Sequence, residues 1–337
     1  MRYKVLLLIT AALTVLTALI AIGTGAAQLS IGEVASILRA RLMGLDPTAL
    51  GHSLAASEIV WSIRLPRVLA AVLTGSALAV SGAIFQSLLM SPLADAYTMG
   101  SSSGAAFGAV LGLYLNILTG MDVSTTAAAF LMAGITLLTV LAASRGSSGN
   151  HQLIMAGVIV GSIMSAGISF LKVLAGDMIG SVSIFLIGSL SSIGMKQLAV
   201  LAAVTVSGSI LARLGAYRLN IMMLGDSEAR QLGVNTQLMR MFYCGIATAL
   251  TAACVAVCGT IGFIGLIVPH VVRTLVGSDN RKVIPLSMTG GALLLLLADT
   301  VSRVLLPREL PVGVMTTLLG GPFFMWLFIR QRRREET

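Results

Sequence analysis

The chain has 337 residues, of which 56% are hydrophobic and only 10% charged, and its mean hydropathy is +0.96. So few charges cannot cover the surface of a soluble domain this large, so the composition specifies an all-α polytopic membrane protein. A transmembrane barrel is excluded because no short alternating segments occur, and the net charge of +9 reads as basic loops on one side of a membrane rather than nucleic-acid binding.

Residues 5–27 form the first apolar run, behind Arg2 and Lys4. Gly25-Ala26-Ala27 offers small residues of the kind found at cleavage sites, but the apolar core is too long for a signal peptide, so a retained span is predicted. Residues 28–64 are mixed and polar. Ser30 and Glu33 are spaced as a capping box, and Ile31, Val34, Leu38 and Leu42 then give one apolar stripe, so a short amphipathic helix is expected at the membrane surface. Further spans are predicted at 65–88, 97–116, 124–144, 151–175, 195–214, 239–259, 261–276, 281–306 and 311–329. Residues 184–193 are apolar but too short to cross, which predicts a re-entrant or interfacial helix.

Ten spans put both termini on one side. Of the 22 lysines and arginines, Arg39, Arg41, Arg64, Arg67, Lys172, Lys196, Arg303 and Arg308 fall on the other side and the remaining 14 on the side of the termini. The bias predicts cytoplasmic termini. On that side lies a polar island between two apolar halves, Leu224-Gly-Asp-Ser-Glu-Ala-Arg-Gln-Leu-Gly-Val-Asn235. Asp226 is placed to cap a short helix, Glu228 to sit in its first turn, and Gly233 to end it. Ala229 and Leu232, three apart, are expected to face a partner's groove or to anchor back on the bundle, with Arg230 at the rim.

Residues 70–100 shifted by 177 match ten positions, including Thr74/Thr251, Gly82/Gly259, Pro92/Pro269 and Gly100/Gly277. The copies begin in spans two and seven, an odd number of crossings apart, so they form inverted repeats, a transporter feature. The chain reads as one permease-like domain over 1–337. Its repeat-like halves are about 65–194 and 239–329, and a cytoplasmic segment at about 218–238 joins them.

Chemistry-bearing patterns are few. Gly100-Ser101-Ser102-Ser103-Gly104 matches a nucleophile elbow, but a loop precedes it and only His52, His151 and His270 could act as base, so close helix packing is the better reading. His270 after Pro269 is expected to make a structural hydrogen bond, and Asp299 to pair with Arg303 one turn on. Cys244, Cys254 and Cys258 fall within one span, which disfavours disulfides and leaves a poor metal site. Gly157, Gly161, Ser165 and Ser169 recur every four residues in span five, with Met164 beside them. Tight packing and a smooth wall of a translocation path both fit that stripe. Arg64, Arg67 and Arg303 at the ends of spans two and nine fit either snorkelling to headgroups or docking of an acidic partner.

Taken together, these stretches resemble the permease subunit of type II ABC importers, the FecCD type. The strings are Arg64-Leu-Pro-Arg67, Ser81-Gly-Ala-Ile-Phe-Gln86, Pro92-Leu-Ala-Asp95, the island from Leu224 to Gly233, Gly262-Phe-Ile-Gly-Leu-Ile-Val-Pro-His270, Glu309-Leu-Pro-Val-Gly313 and Gly321-Pro-Phe-Phe324. The resemblance implies ten spans with inverted repeats in a homodimer, in the inner membrane of a prokaryote, with the path between the two copies. It implies a cargo of iron–siderophore type, with haem, cobalamin or another corrinoid, or an oxyanion as alternatives. Two ATPase subunits, which use ATP and Mg, would bind the island as a coupling helix. An extracytoplasmic binding protein would dock on Arg64, Arg67 and Arg303. The chain departs from the family at Ser91, where Asn is usual, and at Ala96, where Pro is usual. It has no Walker A pattern, so no catalytic residue, metal or cofactor is expected in the chain itself. Partners beyond these are membrane lipid and no nucleic acid. An ion-coupled secondary carrier, needing no ATPase, is the alternative of another class.

Overall fold

In a bilayer the backbone has no water to bond, so each apolar run closes its hydrogen bonds internally. The computed structural model of the chain describes residues 2–24, 29–45, 47, 51–120, 122–144, 150–176, 179–191, 193–304 and 310–335. Among these the ordered elements are all helices: α1 (Arg2–Gly23), α2 (Ile31–Leu42), α3 (Leu54–Glu58), a π-helical turn (Ile59–Arg64), α4 (Leu65–Leu89), α5 (Ser101–Thr119), α6 (Thr125–Ala143), α7 (Asn150–Ala175), α8 (Ile179–Ile187), α9 (Met195–Leu214), α10 (Ala216–Met222), α11 (Asp226–Gln231), α12 (Thr236–Cys258), α13 (Ile264–Val276), α14 (Asn280–Val304) and α15 (Val312–Glu335). Eight are long and apolar enough to cross a membrane: α1, the continuous stretch Leu54–Leu89, α5, α6, α7, α9, α12 and α14. The other two expected spans correspond to the shorter apolar helices Ile264–Val276 and Val312–Met325.

Several boundaries differ from expectation for local reasons. The α2 capping box forms as read, with Glu33 N–H donating to Ser30 Oγ and Ser30 N–H to Glu33 Oε2, and the bonds that Ser30 N–H and Oγ donate to Oε2 hold the Glu33 carboxyl below its ordinary pKa. The buried stripe of α2 is Val34, Ile37 and Ala40, with Leu38 at its edge. Span two extends back to Leu54, because Pro66 has no N–H to close an α turn and a wider π turn precedes it, with Leu65 N–H reaching Val60 O. The short helix expected at 184–193 lies earlier, at Ile179–Ile187. Gly188 follows it, and Ser189 N–H then bonds Cys258 O at the end of α12, 2.8 Å away.

Helix α4 is the hub. Nearly every residue from Pro66 to Leu89 is buried, and glycines let its neighbours touch its backbone. A Cβ on Gly75 would lie 2.2 Å from Gly291 O on α14, and one on Gly82 would lie 1.8 Å from Gly265 O on α13. Against α12 the contact is polar and reciprocal. Thr74 Oγ1 meets Cys258 Sγ at 3.2 Å, and Ser81 Oγ meets Thr251 Oγ1 at 2.9 Å. Under the 177-residue shift Thr74 corresponds to Thr251 and Ser81 to Cys258. Each contact therefore exchanges into the other, as two antiparallel helices related by a two-fold require. Gly104, Gly108 and Gly112 of α5 seat against Thr136, Ala128 and Thr125 of α6, so the Gly-Ser-Ser-Ser-Gly stretch opens a packing face. Ser101 Oγ there bonds Thr248 Oγ1 at 2.9 Å.

The α4–α14 crossing has no room for a side chain. Gly291→Val would push a methyl-bearing carbon into Gly75 O, and overpacking of this kind costs about 1–3 kcal/mol or more. Thermal unfolding of the purified variant in detergent should show a Tm well below that of the parent; an unchanged Tm would contradict the crossing.

Candidate functional site

The island folds as α11 between two glycines. Gly225 enters with φ 111° and Gly233 leaves with φ 80°, both in the region that side chains disfavour. Gly225 is the N-cap and carries no side-chain bond, so the expectation that Asp226 caps the helix is corrected. Asp226 instead pairs with Arg240 on α12, whose Nη2 donates to both carboxylate oxygens at 2.9 and 3.0 Å. At the far end Gly233 N–H bonds Arg230 O and Val234 N–H bonds Ala229 O, which closes the helix as predicted for Gly233. Ala229 is fully buried and is the anchor; Leu232 and Leu224 are each 59% exposed. Glu228 is exposed, as is Arg230, whose Nε donates to Thr236 Oγ1 at 3.1 Å. The result is a short rigid knob with two exposed leucines.

Behind the knob lies a polar hub that the sequence reading missed. Arg273 of α13 reaches into the bundle, and its Nη2 donates to Ala83 O at 3.1 Å, Ser87 Oγ at 2.7 Å and Asn280 Oδ1 at 3.1 Å. Asn280 N–H donates to Asn220 Oδ1 at 2.8 Å, and its Nδ2 contacts Met223 Sδ at 3.3 Å. Asn220 Nδ2 in turn donates to Asp279 at 2.7 Å. Burial raises the Asp279 carboxyl, but the bonds from Asn220 and Arg281 outweigh it and hold the group below its ordinary pKa. The hub ties α10, which leads directly into the island, to the ends of α4, α13 and α14. One signal for it was present: Arg273 is the only charged residue in an otherwise apolar helix. The His270 ring makes no hydrogen bond among the described residues, contrary to expectation.

At the opposite end Arg64, Arg67 and Arg303 come together, but not as an exposed patch. Asp299 is fully buried between two of them. Arg67 Nε and Nη2 each lie 3.0 Å from its Oδ1, and Arg303 Nε lies 3.2 Å from its Oδ2, the pairing the spacing predicts. Arg303 also donates to Ala21 O at 3.1 Å, and Arg64 to Ile22 O and Gly23 O at 2.8 and 3.0 Å. These are the orphan carbonyls at the negative end of α1. Arg64 is 5% and Arg67 8% exposed. The cluster is a lock that joins α1, α4 and α14, and within it Arg64 and Arg67 are buried rather than standing exposed at the helix ends.

The span-five stripe divides. Gly157 packs on the backbone of Thr98 and Met99, and Gly161 on Gly100, so both are packing positions. Met164 is half-buried, while Ser165 and Ser169 face outward, with Ser169 Oγ donating to Ser165 O at 3.1 Å. The segment 90–100 on which the glycines sit turns around Asp95. The Asp95 carboxylate accepts from Tyr97 N–H and Thr98 N–H at 3.0 and 2.9 Å. At the departure positions, Ser91 Oγ accepts from Leu93 N–H, and Ala96 O accepts from Ser102 N–H. A cavity of about 660 Å³ borders this turn, lined by Asp95, Tyr97, Thr98, Thr260, Phe263 and Thr317 among others. The end of α8 forms its rim. Gly188, Gly259 and Gly313 leave no space there for a Cβ against Thr260, Phe185 and Ile187 carbonyls respectively.

A family model described as the FecCD transport family matches residues 13–330. An uncharacterized ABC transporter permease protein, YvrB of Bacillus subtilis, is 42% identical over 82% of this chain and 80% of its own. The hemin transport system permease HmuU of Yersinia pestis is 39% identical over 82% of this chain and 84% of its own. Relatives at 36% and 32% identity are named as import permeases for cobalamin (Halobacterium salinarum) and molybdate (Haemophilus influenzae). A solved inward-facing ABC transporter superposes with a TM-score of 0.83 at 29% identity, covering 96% of this chain and 98% of the other.

Asp299 is the keystone of the lock. Asp299→Asn removes the buried carboxylate that Arg67 and Arg303 share, and breaking a buried pair in this way costs about 3–5 kcal/mol. The purified variant should unfold at a clearly lower temperature than the parent; equal thermal stability would mean that these ion pairs do not hold the lock.

Proposed function

The chain belongs to the FecCD transport family of ABC importer permeases, and we propose that two copies of it form the path for a chelate cargo of iron–siderophore type. Haem, a corrinoid or an oxyanion fits the same architecture, since relatives are named for hemin, cobalamin and molybdate. The chain is a multi-pass membrane protein. The reading places it in the inner membrane of a prokaryote with both termini and α11 cytoplasmic. Two partner ATPases hydrolyse ATP, and a binding protein delivers cargo from outside. The chain itself supplies no catalytic group. The two halves are inverted repeats, a reading supported by the reciprocal α4–α12 contacts.

The observation that carries the proposal is the construction of α11. It is stopped at both ends, tied to α12 by Asp226–Arg240, anchored by Ala229, and exposes Leu224 and Leu232. Such a knob fits an apolar groove in a partner and transmits a push without chemistry. The push reaches α10 and then the Asn220–Asn280–Arg273 hub, where the ends of α4, α13 and α14 meet. At the other end the arginine lock holds the rim in shape, so the binding protein docks on the surface it supports rather than on its guanidinium groups. Between the ends, the outward face of α7 with Ser165 and Ser169 provides weakly polar groups that do not hold a cargo.

Ala229→Pro removes the Ala229 N–H that bonds Gly225 O at 3.0 Å, and proline in a helix interior costs roughly 3 kcal/mol. The reconstituted complex should then assemble poorly or hydrolyse ATP without uptake, whereas Glu228→Ala, at an exposed rim, should stay near parental activity. Normal uptake by Ala229→Pro would show that α11 is only a loop.

Ser165→Cys, in a background without Cys244, Cys254 and Cys258, should react with a water-soluble thiol reagent and crosslink to the second copy. Gly161→Cys should not react, since Gly161 is packed on Gly100. A Ser165→Cys variant inert in every nucleotide state would remove α7 from the path.

A further inference from the structure

A second cavity, of about 510 Å³, lies between α1, α13, α14 and α15 and is lined almost wholly by apolar side chains. Its lining on α14 runs from Leu286 through Gly290 and Leu294 to Ala298. At 1.5 Å per residue that is a groove about 18 Å long, against about 15 Å for the hydrocarbon of one leaflet. Residues Leu6 and Thr10 form its wall on α1. The two helices run side by side in one direction, since Thr10 Oγ1 meets Thr289 Oγ1 at 2.8 Å and, further along both helices, Arg303 donates to Ala21 O at 3.1 Å. Positions four residues apart share a helix face. Arg2 therefore lies one turn below Leu6, and Lys282 one turn below Leu286, on the same faces that line the groove. Both are exposed.

We propose that this groove is a binding site for an anionic phospholipid, with one acyl chain along α13 and α14 and the headgroup phosphate between Arg2 and Lys282. The apolar lining fits a chain and nothing polar. The paired cations at one mouth fit a headgroup that keeps net negative charge, and basic pockets between spans are where such headgroups bind. A single leaflet-depth of apolar groove with cations one turn beyond one end of it matches a lipid entering from the bilayer better than a segment of protein. The site needs only that the chain is embedded in a membrane, and it stands apart from the transport reading.

The test uses the full-length chain purified in detergent with a phosphatidylglycerol that carries a photoreactive diazirine near the end of one acyl chain, and with the phosphatidylcholine of the same chains. Labelling should favour phosphatidylglycerol and map to groove residues such as Val271, Leu294 and Leu319. The double variant Arg2→Gln, Lys282→Gln changes only exposed positions. It should lower phosphatidylglycerol labelling by roughly tenfold or more, to the phosphatidylcholine level. Leu294→Trp, which fills the groove, should lower labelling by both lipids there. Equal labelling by the two lipids, or undiminished labelling of the double variant, would overturn the headgroup site. Groove residues that crosslink to a second copy of the chain instead of to lipid would overturn the proposal altogether.

Discussion

The backbone of α4 touches the backbones of α13 and α14 directly, at Gly82–Gly265 and Gly75–Gly291. Lipid tails are as apolar as leucine, so hydrophobic burial gives helices in a bilayer little reason to prefer each other over lipid. What selects this arrangement is close approach, which only small residues allow, together with hydroxyl and thiol contacts that satisfy one another across the interface. Thr74, Ser81, Thr251 and Cys258 supply those contacts on the α12 side. With α4 held on three sides, its two ends have fixed positions, and each end is built for a different task.

One end is locked by charge. Asp299 lies between Arg67 and Arg303, and the spare donors of Arg303 and Arg64 close the carbonyl end of α1. Buried ion pairs add little net stability, because desolvation offsets attraction. Their use here is geometric: they fix which helix ends meet. The other end is joined by hydrogen bonds around Arg273, most of them to neutral side chains and carbonyls. Such bonds are individually modest and can be remade in a different register. Under the proposed function, the rigid rim at one end and the remakeable joint behind α11 at the other would convert a push into a change of helix packing. The cavity beside Asp95 lies between them.

The sequence was most informative where a single physical rule dominates. Apolar run length places most of the spans within a few residues, span two with its π turn being the exception, and α9 falls on the predicted 195–214 because nothing at its ends competes with the hydrophobic pattern. The shift of 177 was readable in the sequence, whereas the two contacts between α4 and α12 that exchange under it needed coordinates. The sites were less legible. Arg64 and Arg67 look exposed in sequence because they flank a span; a π turn before Pro66 and a buried Asp299 232 residues from Arg67 turn them inward. Gly157 and Ser165 look equivalent at spacing four, yet one packs on the 90–100 segment and the other does not, because that segment folds back between α4 and α5. The Arg273 hub joins residues from 83 to 280, and no local pattern announces a contact of that span.

The central claim is that this chain moves cargo only when partner ATPases drive it. The direct measurement is uptake into proteoliposomes that contain the purified chain, with cargo-loaded binding protein outside and partner ATPase and ATP either present or omitted inside. The account predicts uptake only with ATPase and ATP together, and none on imposing a proton or sodium gradient alone. Gradient-driven uptake by the chain without the ATPase would contradict it and favour a secondary carrier.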